Sequence, residues 1–145
     1  MLRRPRPDEV DTIAGWHPID RDEVLGWWAL DDVEPWVLVD ADDRLLAYGE
    51  LWLDADEDEV ELARLIVDPA IRGRGHGKQL TRALMAEAAR TELAVIMLRT
   101  TEDNEVAIHC YLACGFTRLS AAEEAEWNVG QRRDWVWMVL EGPAD

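Results

Sequence analysis

The spacing of apolar residues predicts two helices and then a group of strands in the first half of the chain. Apolar positions at helical spacing predict a helix over 8–16, capped by Asp8, and a second helix over 20–28. A short strand precedes them at 2–4. Strand-like segments follow at 36–39, 45–53 and 59–67, and they are separated by polar turns at 41–44 and 54–58. Strands joined by such short turns favour an antiparallel meander.

The second half of the chain alternates between helices and strands. A helix is predicted to start near Gly77, and a short apolar strand follows it at 94–98. Strand, helix and strand in sequence predict a right-handed parallel crossover. The remaining elements are a helix over 104–114 capped by Asn104 and ended by Gly115, a strand over 116–119, a loop or short helix over 120–133, and a last strand over 134–140. The sequence therefore predicts one α/β domain over 1–145, with a mixed twisted sheet and flanking helices.

A glycine-rich turn joins the strand at 59–67 to the helix that follows it. Its sequence is Arg72-Gly73-Arg74-Gly75-His76-Gly77. Such a turn presents unpaired backbone N–H groups beside the positive end of the helix dipole, and this arrangement binds phosphate or pyrophosphate. Arg72, Arg74 and Lys78 add positive charge to the same segment. The turn lacks the longer spacing of a dinucleotide-binding motif and the Gly-Lys-Ser/Thr ending of a P-loop. An ordinary glycine-rich turn is the alternative.

Composition narrows the class of partner. The chain has 145 residues, of which 48% are hydrophobic, and a net charge of −16. That charge opposes binding to nucleic acid and favours cationic ligands, although an acidic surface that only maintains solubility is the alternative. No apolar run is long enough to span a membrane, and the N-terminus lacks the apolar region of a secretory signal. With Cys110 and Cys114 too few for a disulfide framework, we expect a cytoplasmic protein without a membrane partner.

The chain contains eight tryptophans, most of which are expected in the core. Trp27 and Trp28 are adjacent in a predicted helix, so their side chains point in different directions and one is a candidate to line a groove. Trp135 and Trp137 are two positions apart in a predicted strand, which places them on the same face.

Two motifs, together with the order of elements, resemble the GCN5-related N-acetyltransferase (GNAT) family. The family pattern Gln/Arg-x-x-Gly-x-Gly/Ala is similar to Arg72-x-x-Gly75-x-Gly77, which follows the strand end 65–69. A second block, Asn-x-x-Ala-x-x-x-Tyr-x-x-x-Gly-Phe, matches Asn104, Ala107, Tyr111, Gly115 and Phe116. The resemblance covers residues 36–119 well and the first 35 residues loosely.

The resemblance implies acetyl-CoA as co-substrate and no metal. Its pyrophosphate is expected on the backbone of the glycine-rich turn, its pantetheine along the strand end, and Asn104 near the pantetheine, unless Asn104 is only a helix cap. The expected donor-binding residues are Leu65, Ile66, Val67, Arg72, Gly73, Arg74, Gly75, His76, Gly77, Lys78 and Asn104.

The resemblance also implies two residues for proton transfer. Tyr111 aligns with the usual acid that protonates the leaving thiolate, and a core tyrosine is the alternative. Glu61 lies eleven positions before Arg72, where several family members carry a base. Strict alternation puts Glu61 on one strand face with Glu59, Ala63, Leu65 and Val67, so Glu59 is the nearest rival. An exposed acidic strand end is the other interpretation.

The expected activity is direct acetyl transfer in a ternary complex to a primary amine of a cationic small molecule. A polyamine-like acceptor such as an aminoglycoside suits the acidic residues around 20–34, 54–61 and 123–126. Acetylation of a peptide N-terminus or lysine, a non-catalytic CoA-binding module, and an acidic adaptor for a basic protein are the alternatives. For His109, Cys110 and Cys114, packing is favoured over a thiol nucleophile or a zinc site. The acceptor identity and the oligomeric state, a homodimer included, are left open.

Overall fold

A computed structural model describes residues 1–140 of the chain, so the last five residues of the predicted domain lie outside it. The strands are β1 (Leu2–Arg3), β2 (Val33–Val39), β3 (Leu45–Asp54), β4 (Glu59–Val67), β5 (Val95–Thr100), β6 (Phe116–Arg118) and β7 (Val136–Leu140). The helices are α1 (Val10–Trp16), α2 (Arg21–Trp28), α3 (His76–Arg90), α4 (Glu105–Ala113) and α5 (Ala121–Trp127).

All strands belong to one mixed sheet with the order β1-β2-β3-β4-β5-β7-β6. The pairs from β1 to β4 are antiparallel, which confirms the predicted meander. β4 and β5 pair in parallel, with α3 as the crossover between them. β7 pairs antiparallel with both β5 and β6. The predicted α/β class is confirmed.

Helices cover both faces of this sheet, and each face has its own apolar core. On one face Leu80 and Leu84 of α3 pack against Leu51 and Leu62 of the sheet. A β-carbon added to Gly49 would come within 2.7 Å of the Leu84 Cδ1, so the glycine permits this close approach of α3 to β3. On the other face the short helices α1 and α2 provide Val10, Ile13 and Val24, which pack with Val37, Val39 and Tyr48 of the sheet.

A bulge interrupts β4 and overturns one prediction. Tyr48 faces Ile66 across β3 and β4, but Glu50 faces Ala63, so β4 has one additional residue at this point. Arg64 lies in the bulge and has a φ of 51°, in the left-handed region. Leu65 and Val67 consequently join the same core as Val60 and Leu62, on the face opposite Glu61. The prediction that Glu61, Leu65 and Val67 share a face was wrong, because strict alternation ends at the bulge.

Of the two predicted helix N-caps, one is confirmed and one is wrong. The Asn104 side chain accepts a hydrogen bond from the Ala107 N–H at 3.3 Å, as predicted for the cap of α4. Asp8 does not cap α1, since it lies in a 3-10 turn over Pro7–Glu9 and α1 begins at Val10 without a side-chain cap. Among residues 1–140, the helices all fall short of the length and apolar character that crossing a bilayer demands.

Candidate functional site

β4 and β5 separate in the middle of the sheet and leave one backbone edge of β4 without a strand partner. Their parallel pairing runs only from Glu59 beside Val95 to Leu62 beside Leu98. Beyond that point β5 pairs with β7 alone, through Arg99 opposite Trp137 and Thr100 opposite Val136. The bulge at Arg64 coincides with this separation. The N–H and C=O groups of Leu65–Val67 that face the gap are therefore available to an extended ligand.

A cavity of about 960 Å³ begins at this free edge, on the face covered by α3 and α4. It contains all the predicted donor-binding residues except Arg74, which is exposed and does not line it. Tyr111 lines the same cavity. Leu80, Thr81 and Val106, which the sequence did not single out, also line it, as do Ala107, His109 and Cys110, which were not predicted to bind the donor. Fold topology therefore brings the two family motifs, which are about thirty residues apart in sequence, to opposite walls of one cavity.

The glycine-rich turn forms one end of the cavity and presents unpaired donors there. Gly73 and Gly75 have φ values of 82° and 85°, a conformation that disfavours other residues. Gly75 is the N-cap of α3. Within the described part of the chain, no protein acceptor receives a hydrogen bond from the backbone N–H groups of residues 72–78. With the positive side chains of Arg72 and Lys78 at the same end, the turn can hold a pyrophosphate.

Tyr111 lies on the α4 wall of this cavity as a neutral phenol. Its ring packs edge-on against Phe116, with ring centres 6.3 Å apart. Burial raises the pKa of Tyr111 to about 12. Within residues 1–140 the hydroxyl makes no hydrogen bond to the protein, and Tyr111 lines the cavity. A phenol in this state keeps its proton at neutral pH and can donate it to a thiolate.

Glu61 lies on the opposite face of the sheet, in an ion pair with Arg99 of β5. Arg99 donates from Nε to Glu61 Oε2 at 2.8 Å and from Nη2 to Oε1 at 3.2 Å. Burial raises the pKa of Glu61, and the bonds from Arg99 oppose that increase. The structure thus gives the predicted base a cationic partner that the sequence did not reveal.

An acidic groove of about 540 Å³ surrounds Glu61 on this face. Its walls are Asp32, Trp52, Leu53, Asp54, Ala55, Asp56, Glu59, Glu61 and Met97. Burial and the neighbouring Glu57 and Asp54 raise the pKa of Glu59. Glu59 makes no ion pair within residues 1–140, so the predicted rival of Glu61 faces the groove without a cationic partner.

Two arginines that the sequence did not single out alternate with tryptophans on the face of Glu61. The Arg64 guanidinium carbon lies 4.0 Å from the ring centre of Trp27 and 4.9 Å from that of Trp52. The Arg99 guanidinium lies 5.7 Å from Trp52 and 4.8 Å from Trp137. Trp135 lies 5.5 Å from the same guanidinium, although it precedes β7 and is not part of that strand as predicted. The sequence did contain a signal for these residues, because each arginine lies inside an apolar strand. Charged side chains in such positions are rarely buried without a partner.

Glu50 completes this arrangement as a buried carboxylate. Its side chain has no exposed surface and is paired with Arg64 at 2.6 Å. It also accepts hydrogen bonds from Trp52 Nε1 at 2.8 Å and from the Tyr48 hydroxyl. Tyr48 in turn accepts a bond from Trp28 Nε1 at 3.1 Å, which ties α2 to the sheet. Glu50 and Glu61 are therefore each paired with one arginine.

Comparison with known proteins identifies the family. The model of the acetyltransferase (GNAT) family matches residues 3–116. The chain belongs to the GNAT family. It is 35% identical over 119 residues to the mycothiol acetyltransferase of Kineococcus radiotolerans and 32% identical over 123 residues to that of Rhodococcus erythropolis. These matches cover 74% and 71% of this chain but only 37% and 39% of the relatives, so the chain spans under two fifths of their length.

Solved structures of GNAT acetyltransferases share the fold over nearly the whole chain. The spermidine N-acetyltransferase of Vibrio cholerae in complex with CoA and spermine superposes with a TM-score of 0.75 at 18% identity, over 97% of this chain and 94% of that one. A Bacillus subtilis acetyltransferase in complex with CoA gives a TM-score of 0.74 at 19% identity, over 99% and 97%.

The residues of the larger cavity fit the donor of this family, acetyl-CoA. The free edge of β4 matches the hydrogen-bonding needs of a pantetheine arm, and the turn at 72–78 matches those of a pyrophosphate. In the part of the chain that the structure describes, no three His, Cys, Asp or Glu side chains come together to hold a metal ion.

Proposed function

We propose that this chain transfers the acetyl group of acetyl-CoA to a primary amine of a small cationic acceptor. One observation carries the proposal: the separation of β4 from β5 lies between a donor-type cavity on one face and an acidic groove on the other. A donor and an acceptor that approach from the two faces meet at this gap. Holding both reactants there supplies much of the acceleration, so the transfer is direct, in a ternary complex.

Arg72 and Lys78 would hold the pyrophosphate together with the amides of the turn. Leu65–Val67 would pair with the pantetheine, and Asn104 would contact it from α4. When bound, acetyl-CoA supplies the activated thioester. The chain's own contribution is to fix that thioester beside the bulge and to exclude competing water.

Two side chains on opposite faces of the sheet would carry out the proton transfers. The amine must lose a proton to attack, and Glu61 is the proposed base, acting directly or through a water. Its raised pKa brings it closer to neutrality than an ordinary glutamate, which improves a base. Tyr111 is the proposed acid, because it keeps its proton and lines the donor cavity.

The acidic groove supports a cationic acceptor. Asp32, Asp54, Asp56 and Glu59 carry negative charge along it, while Trp52 and Met97 supply apolar contact. Such a groove concentrates cations and speeds their encounter. Aminoglycosides and polyamines fit this description, and spermine is bound by one structural neighbour. The mycothiol acetyltransferases of the comparison add a second candidate acceptor class.

The test is thiol release from acetyl-CoA with a panel of amines. The panel contains aminoglycosides, polyamines, a basic peptide and a mycothiol-type amine. Saturable release with at least one small amine supports the proposal, and preference for the peptide would favour a protein acetyltransferase. Acetyl-CoA binding by calorimetry without turnover of any amine would indicate a CoA-binding regulatory module. Absence of both binding and turnover would contradict the proposal and favour an acidic adaptor.

A further inference from the structure

The guanidinium of Arg64 is held between two indole rings at the point where β4 separates from β5. Its carbon lies 4.0 Å from the ring centre of Trp27, on α2, and 4.9 Å from that of Trp52, on β3. Contact with two aromatic faces fixes the guanidinium position and leaves its edges for hydrogen bonding. The side chain is 29% exposed, so one edge reaches the acceptor face of the sheet.

Arg64 retains hydrogen-bond donors that the protein does not use. Its Nη1 donates to Glu50 at 2.6 Å, and across residues 1–140 the guanidinium has no other protein partner. Glu50 is fully buried and also binds Tyr48 and Trp52, so it stays in the wall and is not released to a ligand. The Nε and Nη2 groups of Arg64 therefore remain for an external acceptor.

Arg99, across the same gap, has this Nε and Nη2 edge occupied. Its Nε and Nη2 bind the carboxylate of Glu61, and its Nη1 donates to Gln131 at 3.2 Å. Of these two arginines, Arg64 is thus the one whose Nε and Nη2 groups make no hydrogen bond within residues 1–140. It also directly precedes Leu65, the first residue of the β4 edge that lines the donor cavity.

We infer that Arg64 binds a carboxylate of the acceptor, close to the amine that is acetylated. This inference rests on the proposed function and narrows it. Planar pairing of a carboxylate with two guanidinium N–H groups gives both strength and orientation. The acidic groove begins several residues along β4 from Arg64 and suits a second, cationic group of the same molecule. The acceptor class is therefore an amino acid with a basic side chain.

Matched acceptors that differ by one carboxylate test the inference. Ornithine is compared with putrescine, and lysine with cadaverine, by thiol release from acetyl-CoA. In each pair the amino acid is expected to have a kcat/KM on the order of 10- to 100-fold higher, the usual effect of a charge-assisted hydrogen bond.

The variant designed to remove the preference for a carboxylate replaces Arg64 and Glu50 together. Arg64→Gln alone leaves a buried carboxylate without a cation, which destabilises folding. The double variant Arg64→Gln/Glu50→Gln removes both charges of this ion pair. In this variant the kcat/KM of the amino acid and that of the matching diamine are expected to differ by no more than about threefold. Arg4→Gln is the matched control, because Arg4 also stacks on a tryptophan, Trp36, at 4.8 Å, but lines neither cavity. The control is expected to keep the wild-type preference.

Two results would overturn the inference and leave the proposed function standing. One is acetylation of the diamines as fast as the amino acids. The other is a carboxylate preference that survives in the folded double variant. Absence of thiol release with every amine would instead overturn the proposed function and this inference together.

Discussion

Arg99 binds both carboxylate oxygens of Glu61 from the neighbouring parallel strand, at 2.8 and 3.2 Å. Glu61 is level with Met97 in that pairing, so Arg99 is two residues further along and on the same face. The Glu61 side chain is only 7% exposed. The charge of Glu61 is therefore neutralised by Arg99, although Glu61 lines an otherwise acidic groove. A base at this position must act beside a fixed cation.

Replacement of Glu61 by Gln tests the base. Burial raises the pKa of Glu61, and a base works only when deprotonated, so the acid limb of kcat/KM against pH should lie above the ordinary glutamate value of about 4.3. Glu61→Gln should remove that limb and reduce the rate about 10²- to 10⁴-fold near neutral pH, less at high pH where free amine is abundant.

Glu59→Gln is the matched control for this experiment, since Glu59 faces the same groove without Arg99. It should keep the limb. Equal loss at every pH in Glu61→Gln would show that Glu61 serves only as the partner of Arg99. Loss of the limb in Glu59→Gln alone would assign the base to Glu59.

Removal of the Tyr111 hydroxyl tests the acid. Tyr111→Phe keeps the ring that packs on Phe116 and removes the hydroxyl that is proposed to protonate the thiolate. We expect kcat to fall roughly ten- to ten-thousand-fold while the Kd of acetyl-CoA changes little. Stopped-flow turnover and calorimetry measure the two quantities. A Phe variant with wild-type kcat would make Tyr111 a packing residue.

The anion site proposed in the glycine-rich turn is tested at Gly75, where an added β-carbon meets no atom of residues 1–140 within 4 Å. Gly75→Ala introduces only the strain of a left-handed backbone, about 1 kcal/mol. Gly75→Asp adds a negative charge and should weaken acetyl-CoA binding by a further factor of ten or more, on the order expected for one unfavourable charge. Calorimetry on folded variants gives the comparison.

Gly130→Ala controls for strain, because Gly130 has a φ of 80° and equally open surroundings outside the donor cavity. It should lose stability without loss of acetyl-CoA affinity. Equal affinities for the Ala and Asp variants at Gly75 would place the pyrophosphate elsewhere.

Ionic strength tests the acidic groove. Salt screens attraction between a cationic acceptor and the carboxylates of the groove, so KM for the acceptor should rise with salt. Asp54→Asn/Asp56→Asn should raise KM at low salt and flatten this dependence, with kcat unchanged. Steady-state rates in a salt series provide the measurement. If the KM of the wild-type protein does not depend on salt, the negative charge of the groove serves only to keep the protein soluble.

Replacement of Cys110 tests direct transfer. Cys110 lines the donor cavity, and a thiol there could act as a nucleophile only through an acetyl-cysteine intermediate. Cys110→Ala and Cys114→Ala should both remain active, with intersecting initial-rate patterns that indicate a ternary complex. Trapped acetyl-cysteine, or parallel patterns that either substitution abolishes, would contradict direct transfer.

Local sequence determined most of the fold and one side of the site. The meander followed from short polar turns between apolar runs, and the cap at Asn104 from its position before an apolar helix. The proposed donor-binding residues cluster in two short segments, 65–78 and 104–111. The glycine-rich turn could be predicted from the sequence as an anion site because its own backbone and the adjacent helix start supply the binding groups. Residues 65–67 and Asn104 were predicted from the resemblance to the GNAT family.

Tertiary structure decided the arrangement of the face that is proposed to bind the acceptor. One additional residue in β4, placed at Arg64, reverses the faces of all residues after it, and no alternation rule reveals where such a bulge lies. The pairing of Glu61 with Arg99, and of Arg64 with Glu50 and two tryptophans, joins residues from α2 and three strands. Charges and rings that meet only after the sheet has formed carry no local signal, because their partners are chosen by strand order and register. The chain's sequence thus predicted the proposed donor site, and its fold decided which charges face the proposed acceptor groove.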